Sequence, residues 1–184
     1  MRRKFQPYDR ELPVDADYKM EAIHQRDKDN FESLEKWLYL GADSKNAAYA
    51  KIGITTGNMT SRSYSSVNPG YYLFCAFKCT ARTTKAQLED IERSVLRYLD
   101  GVFTMEDGTT KREPHFESGR LSECYYDIDF NELFWHLHHH LFKKHTNHFI
   151  VGYLDGYEGD FLDCEFSSSL SLEKQKSYIA MILQ

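Results

Sequence analysis

Four residues, widely spaced along the chain, have side chains suited to one kind of chemistry: Tyr39, Lys51, Arg62 and Glu92. A phenol can take a proton from an attacking water, especially where a cation lowers its pKa. Lysine and arginine stabilise the charge that builds on phosphoryl oxygens. A single inward carboxylate can hold one Mg²⁺ that keeps most of its waters. The four residues together suit phosphodiester hydrolysis, although composition alone leaves this as one candidate among several.

Glu92 is the most informative of the four because of its place on a helix predicted over 85–100. Thr84 and Gln87 form a capping box before this helix, and Gly101 is expected to end it. Its apolar stripe comprises Leu88, Ile91, Val95, Leu96 and Leu99. Glu92 falls inside the stripe, where a carboxylate costs several kcal/mol unless something pairs with it. A metal ion is an adequate partner, and a buried ion pair, for instance with Arg62, is the alternative. Glu89, at the edge of the stripe, is expected to pair with Arg93 at the surface.

The strands that would position Tyr39 and Lys51 are predicted over 36–42 and 49–55, joined by the polar loop 43–47 as an antiparallel hairpin. This hairpin could place the two side chains next to each other. A short helix after it would carry Arg62, and a third strand is predicted over 71–80.

The remaining elements complete an α+β domain. A short helix is expected near 18–25, a turn at Asp107–Gly108, an extended piece at 123–126, a helix capped by Asp129 to about 144, a hairpin over 149–166 around Asp155–Gly156, and a last helix capped by Ser171. We divide the chain into an N-terminal extension (1–30), a central domain (31–132), and a C-terminal helix, hairpin and helix packed on the core (133–184).

Several short motifs in the central part resemble the GIY-YIG nucleases, in particular their phage-type and restriction-enzyme-like branch. The first is Trp-Leu-Tyr at 37–39, the second is Lys-Ile-Gly-Ile-Thr at 51–55, and Arg62 follows at the spacing usual in that family. The helix around Ile91-Glu92 looks like the family's metal-binding helix. Gly-Arg-Leu-Ser-Glu-Cys-Tyr at 119–125 is similar to a downstream stretch of that branch. The resemblance covers roughly residues 35–130.

The resemblance implies a small antiparallel or mixed β-sheet flanked by helices, with N- and C-terminal elaborations, and endonuclease activity with Mg²⁺ or Mn²⁺ on nucleic acid, DNA rather than RNA. Tyr39 would be the general base, Arg62 would bind the scissile phosphate, and Glu92 would hold the metal. Lys51 stands where the family's named tyrosine would be, and would assist proton transfer or bind phosphate. Tyr49, on the same strand face, could partly substitute for that tyrosine.

The charge of the chain bears on the partner. The net charge is −5 and the pI is about 5.9, so a nucleic-acid partner must rest on local cations. We expect Tyr49, Arg93 and Arg97 to contribute to substrate binding. A module on the same scaffold that binds nucleic acid or a protein without catalysis is the alternative, and the acidic segment 155–165 suggests a protein partner or self-association. The four cysteines are expected to be reduced thiols, and the chain to be cytoplasmic with no membrane partner.

Two further groups of residues admit a functional interpretation that we do not favour. His136 and His140 lie one turn apart, which would suit Zn²⁺, but a solvated polar face opposite the apolar stripe of that helix is the simpler interpretation. Glu123 is interpreted as structural.

Overall fold

The structure is a computed structural model that describes Glu11, Glu21, His24, 36–56 and 68–183. The strands are β1 (Trp37–Asp43), β2 (Asn46–Thr55), β3 (Tyr71–Lys78), β4 (Arg112–Pro114), β5 (Leu121–Tyr125), β6 (Val151–Tyr153), β7 (Asp160–Leu162) and β8 (Cys164–Phe166). The helices are α1 (Lys85–Val102), α2 (Phe130–His145) and α3 (Leu172–Ile182), with a 3₁₀ turn at Thr146–His148. This α+β architecture confirms the predicted fold class.

Six strands form one antiparallel sheet in the order β4-β5-β2-β1-β3-β8, and β6 pairs with β7 in a separate hairpin. Because side chains alternate across a strand, the sheet has two distinct faces. One face, which includes Leu38, Leu40 and Ile52, lies in the main hydrophobic core. The other face carries Trp37 and Tyr39, which pack with Ala76 in a smaller apolar cluster.

Helix α1 closes the main core as the sequence predicts. The predicted stripe residues are all buried: Leu88, Ile91, Val95, Leu96 and Leu99. Thr84 and Gln87 form the expected capping box, a feature worth about 1 kcal/mol. The helix passes through Gly101, however, and ends at Val102, so the predicted stop is wrong. The buried Phe103 follows and donates its backbone N–H to Leu99 O at 2.8 Å, which completes the last turn.

Other predicted boundaries of strands and hairpins also differ from the structure. The β1–β2 turn is only Ser44–Lys45, because β1 extends to Asp43 and β2 begins at Asn46. The Asp43 carboxylate accepts the Lys45 N–H at 2.8 Å, which stabilises this tighter turn. The hairpin around Asp155–Gly156 is confined to β6 and β7.

The C-terminal segment contributes directly to the main sheet. Strand β8 pairs antiparallel with β3, with Cys164 opposite Phe77 and Phe166 opposite Cys75. Helix α3 begins after Ser171, whose hydroxyl accepts the Lys174 N–H, as predicted. All four cysteines are free thiols. None of the helices in the described part of the chain is long and apolar enough to cross a membrane.

Candidate active site

The candidate site lies where β5 separates from β2. Strands β2 and β5 pair at Ala50–Tyr125 and Lys51–Cys124. Among the described residues, no strand pairs with β2 on this side beyond Lys51. The backbone of Ile54, within this edge, lies close enough to the Glu92 carboxylate of α1 to lower its pKa. We call this place the β2–β5 gap: the edge of β2 from Ile52 to Ile54, with Glu92 on one side and Glu123 of β5 on the other.

The electrostatics of the gap centre on Glu92. Burial and the negative charges of Glu123 and Glu89 raise the pKa of Glu92 from 4.5 to about 7, while Arg93 and the Ile54 backbone oppose the rise. Burial disfavours the charged form, and each neighbouring carboxylate adds repulsion. Glu92 is therefore half-ionised near neutral pH, and a cation at this place would favour the ionised form.

Lys51 and Glu123 form the exposed rim of the gap. The Lys51 Nζ lies 3.8 Å from Glu123 Oε2, and both side chains are accessible, at 33% and 47%. Such an accessible ion pair contributes little to stability. The ammonium group is thus available to an incoming anion.

Tyr39 lies on the far face of β2, directly against Gly53. These two residues are opposite each other in the β1–β2 ladder, and the Tyr39 hydroxyl would be 2.4 Å from a Cβ added at Gly53. Only glycine leaves room for the phenol here. Lys51 lies on the same face, opposite Gly41 and therefore diagonal to Tyr39 rather than beside it. Tyr39 is only 4% exposed.

Apart from Arg62, which lies outside the residues that the structure describes, the other predicted site residues do not lie in the β2–β5 gap as defined above. Tyr49 is buried with its hydroxyl 3.3 Å from Cys124 Sγ, and this environment raises its pKa far above the ordinary range. This environment disfavours the phenolate form of Tyr49. Arg93 and Arg97 are exposed on α1, and Arg93 pairs with Asp90.

Glu89 and Arg93 do not form the surface pair that the sequence predicts. Glu89 instead pairs with Lys85 at 3.5 Å, while Arg93 takes Asp90 on the same turn. Both alternatives are neighbours on the helix surface, where such pairs differ by only a few tenths of a kcal/mol.

The histidines of α2 do not form the predicted solvated face. Ser94 Oγ lies 3.0 Å from His140 Nε2 and 3.1 Å from His145 Nε2, and the Tyr98 hydroxyl lies 2.8 Å from His136 Nδ1. The flank of α2 that bears them therefore packs against α1. His138 is fully buried and accepts the Leu162 N–H at 2.9 Å.

The donors in the gap suit a hard cation better than Zn²⁺. No cluster of three or more histidine, cysteine or acidic side chains that could hold a metal occurs among the described residues. Mg²⁺ needs only one or two carboxylates, because it keeps several waters. Two carboxylates that repel each other, Glu92 and Glu123, fit that requirement.

Glu123, which the sequence analysis interprets as structural, lies at the rim of the candidate site. It lies in the stretch 119–125 that carries part of the family resemblance, and that position was the available signal. A cavity of about 820 Å³ opens elsewhere, between the β1–β2 turn and helices α2 and α3. Of the predicted site residues only Tyr49 lines it, so the cavity and the gap are separate features. Comparison with protein-family models, curated proteins and solved structures found no match for this chain.

Proposed function

We propose that this chain is a divalent-metal-dependent endonuclease of the GIY-YIG type that hydrolyses phosphodiester bonds in DNA. The observation that carries the proposal is the half-buried Glu92 carboxylate, close to Ile54 at the strand edge, with Glu123 close enough to raise its pKa. Glu123 repels Glu92 although Lys51 lies 3.8 Å from Glu123, and this repulsion disfavours two ionised carboxylates without a further cation. A site for a divalent cation accounts for both acids.

Each residue of the proposed site has a distinct task. Glu92 and Glu123 would hold Mg²⁺ or Mn²⁺, which when bound stabilises negative charge on the leaving oxygen. The Lys51 ammonium, already at the rim, would bind a phosphoryl oxygen. Arg62 would bind the same phosphate group, in a bidentate manner.

Tyr39 would accept the proton of the attacking water. Its hydroxyl rests against Gly53, one residue from the Ile54 backbone that lies near Glu92. The ring is almost fully buried, so the proposal requires substrate binding to open a path from solvent to this hydroxyl.

The cleavage assay for this proposal uses supercoiled plasmid and labelled DNA and RNA oligonucleotides with Mg²⁺, Mn²⁺ or EDTA. We expect metal-dependent cleavage of DNA by the wild-type protein and a loss of at least about a hundredfold in Glu92→Gln. Glu89→Gln is the matched control, because Glu89 pairs with Lys85 and is not a proposed ligand. Its removal should only ease the ionisation of Glu92 and should not lower the rate. Intact substrates under every metal condition would contradict the proposal.

A binding module without catalysis is the second candidate, and the burial of Tyr39 is the observation that favours it. Such a module needs no access of water to the phenol. Retained DNA binding without cleavage at any metal concentration would support it.

A further inference from the structure

The hairpin formed by β4 and β5 ends in an exposed apolar tip. Phe116 is fully exposed, and Pro114 and Leu121, which face each other at the base of the tip, are also exposed. Single exposed apolar residues are common, so exposure alone gives no reason to assign a role. Two further features suggest a role for this tip: its backbone hydrogen bonds and its location near the β2–β5 gap.

Backbone hydrogen bonds close the tip. His115 donates its N–H to Arg120 O at 2.8 Å, and Gly119 donates to His115 O at 2.8 Å. Gly119 has φ +64°, a conformation that other residues rarely adopt, and its Cβ-sized space is open. The hairpin therefore presents the Phe116 ring from a hydrogen-bonded backbone, which lowers the entropy cost of binding through it.

The tip also projects from the end of the sheet where the β2–β5 gap opens. The last β2–β5 pair is Lys51–Cys124. From Cys124 back to Leu121, strand β5 therefore extends beyond the end of the β2–β5 ladder. The tip continues in that direction. At about 3.3 Å per residue, Phe116 lies roughly 13 Å beyond Glu123 along the strand, a distance of about four base steps in duplex DNA.

The charges on the tip are mixed and include one cation suited to a phosphate. The Arg120 side chain has no ion-pair partner among the described residues and is exposed. Glu113 and Glu117 are exposed on the same hairpin, so the tip has no strong positive field. An aromatic ring with one arginine is suited to contact between base pairs together with one backbone phosphate.

We propose that Phe116 is a wedge that inserts between adjacent base pairs of duplex DNA a few steps from the scissile phosphate. This inference rests on the proposed endonuclease function. Apolar side chains used in this way unstack a base step and bend the duplex, which allows more of the DNA to contact the protein. Phe116 would therefore position the DNA across the gap, and Arg120 would hold the backbone beside the unstacked step.

The test measures binding and unstacking without cleavage, in the Glu92→Gln background, with duplexes that carry 2-aminopurine at successive positions. We expect the fluorescence to rise at one step when the protein binds. Phe116→Ala should remove that rise and weaken binding about tenfold, whereas Phe116→Trp should keep both. Tyr153→Ala is the matched control, because Tyr153 is a 77% exposed aromatic on the β6–β7 hairpin, and it should change neither.

Two unfavourable outcomes are distinguishable. If the wild-type protein cleaves DNA but Phe116→Ala binds as tightly and no position of 2-aminopurine brightens, the wedge is wrong while the endonuclease proposal holds. If the wild-type protein neither binds nor cleaves DNA, both proposals fail together.

Discussion

Replacement of Glu92 by glutamine should make the metal-free protein more stable at alkaline pH while it removes activity. Glutamine has nearly the same shape and keeps a polar oxygen beside the Ile54 backbone. The rise in pKa from 4.5 to about 7 corresponds to roughly 3 kcal/mol, because one pKa unit is worth about 1.4 kcal/mol. Glu92 is only half-buried, so solvent screening reduces the expected gain to about 1–2 kcal/mol.

The sign of this effect depends on pH. Because the folded protein holds the Glu92 proton more tightly than the unfolded chain, the wild type loses stability as pH rises from 4.5 to about 7. Below that range the acid is neutral in both states, so wild type and Glu92→Gln should be equally stable. Above it the variant should be more stable by the full amount.

Urea unfolding with EDTA at pH 4.5 and at pH 8, followed by circular dichroism, measures both differences. Added Mg²⁺ should then stabilise the wild type by about 1.4 kcal/mol at ten times its Kd, and leave the variant unchanged. Equal stability of the two proteins at pH 8 would refute the electrostatic reasoning. Equal stabilisation by Mg²⁺ would refute the role of Glu92 as a ligand.

Three other substitutions test the packing of the fold. Gly53→Ala would place a Cβ 2.4 Å from the Tyr39 hydroxyl, so we expect urea unfolding to show a loss of about 1–3 kcal/mol in stability, together with impaired cleavage. Gly101→Ala, where a Cβ meets nothing within 4 Å, should instead stabilise α1 by about 0.5–1 kcal/mol. Similar effects of the two substitutions on stability would contradict this packing. Burial lowers the pKa of His138 from 6.5 to about 3, so folded-state stability should fall as pH drops below 6.5. His138→Gln, which can still accept the Leu162 N–H, should reduce the difference in unfolding free energy between pH 7 and pH 5 by about 2 kcal/mol, and an unchanged difference would show that another group controls it.

Local features of the sequence explain why α1 was predictable. Its capping box involves residues three apart, and its buried stripe follows the helical period, so neither depends on distant parts of the chain. The shared strand face of Tyr39 and Lys51 also follows from alternation within one hairpin.

The features that the sequence did not reveal depend on contacts between distant segments. Glu123 is brought near Glu92 by the pairing of β5 with β2, and no local pattern encodes that long-range pairing. The burial of His138 requires α2 to be packed against both the sheet and the β6–β7 hairpin, through the hydrogen bond from Leu162. Contacts of this kind between distant segments decide whether a polar residue on an amphipathic helix is buried or exposed.

The most direct test of the proposed site is the single-turnover rate of DNA cleavage at saturating Mn²⁺ for the wild type, Glu92→Gln and Glu89→Gln. The account predicts a measurable rate for the wild type, a similar rate for Glu89→Gln, and a rate at least about a hundredfold lower for Glu92→Gln in protein that remains folded. Equal cleavage by all three proteins would contradict it.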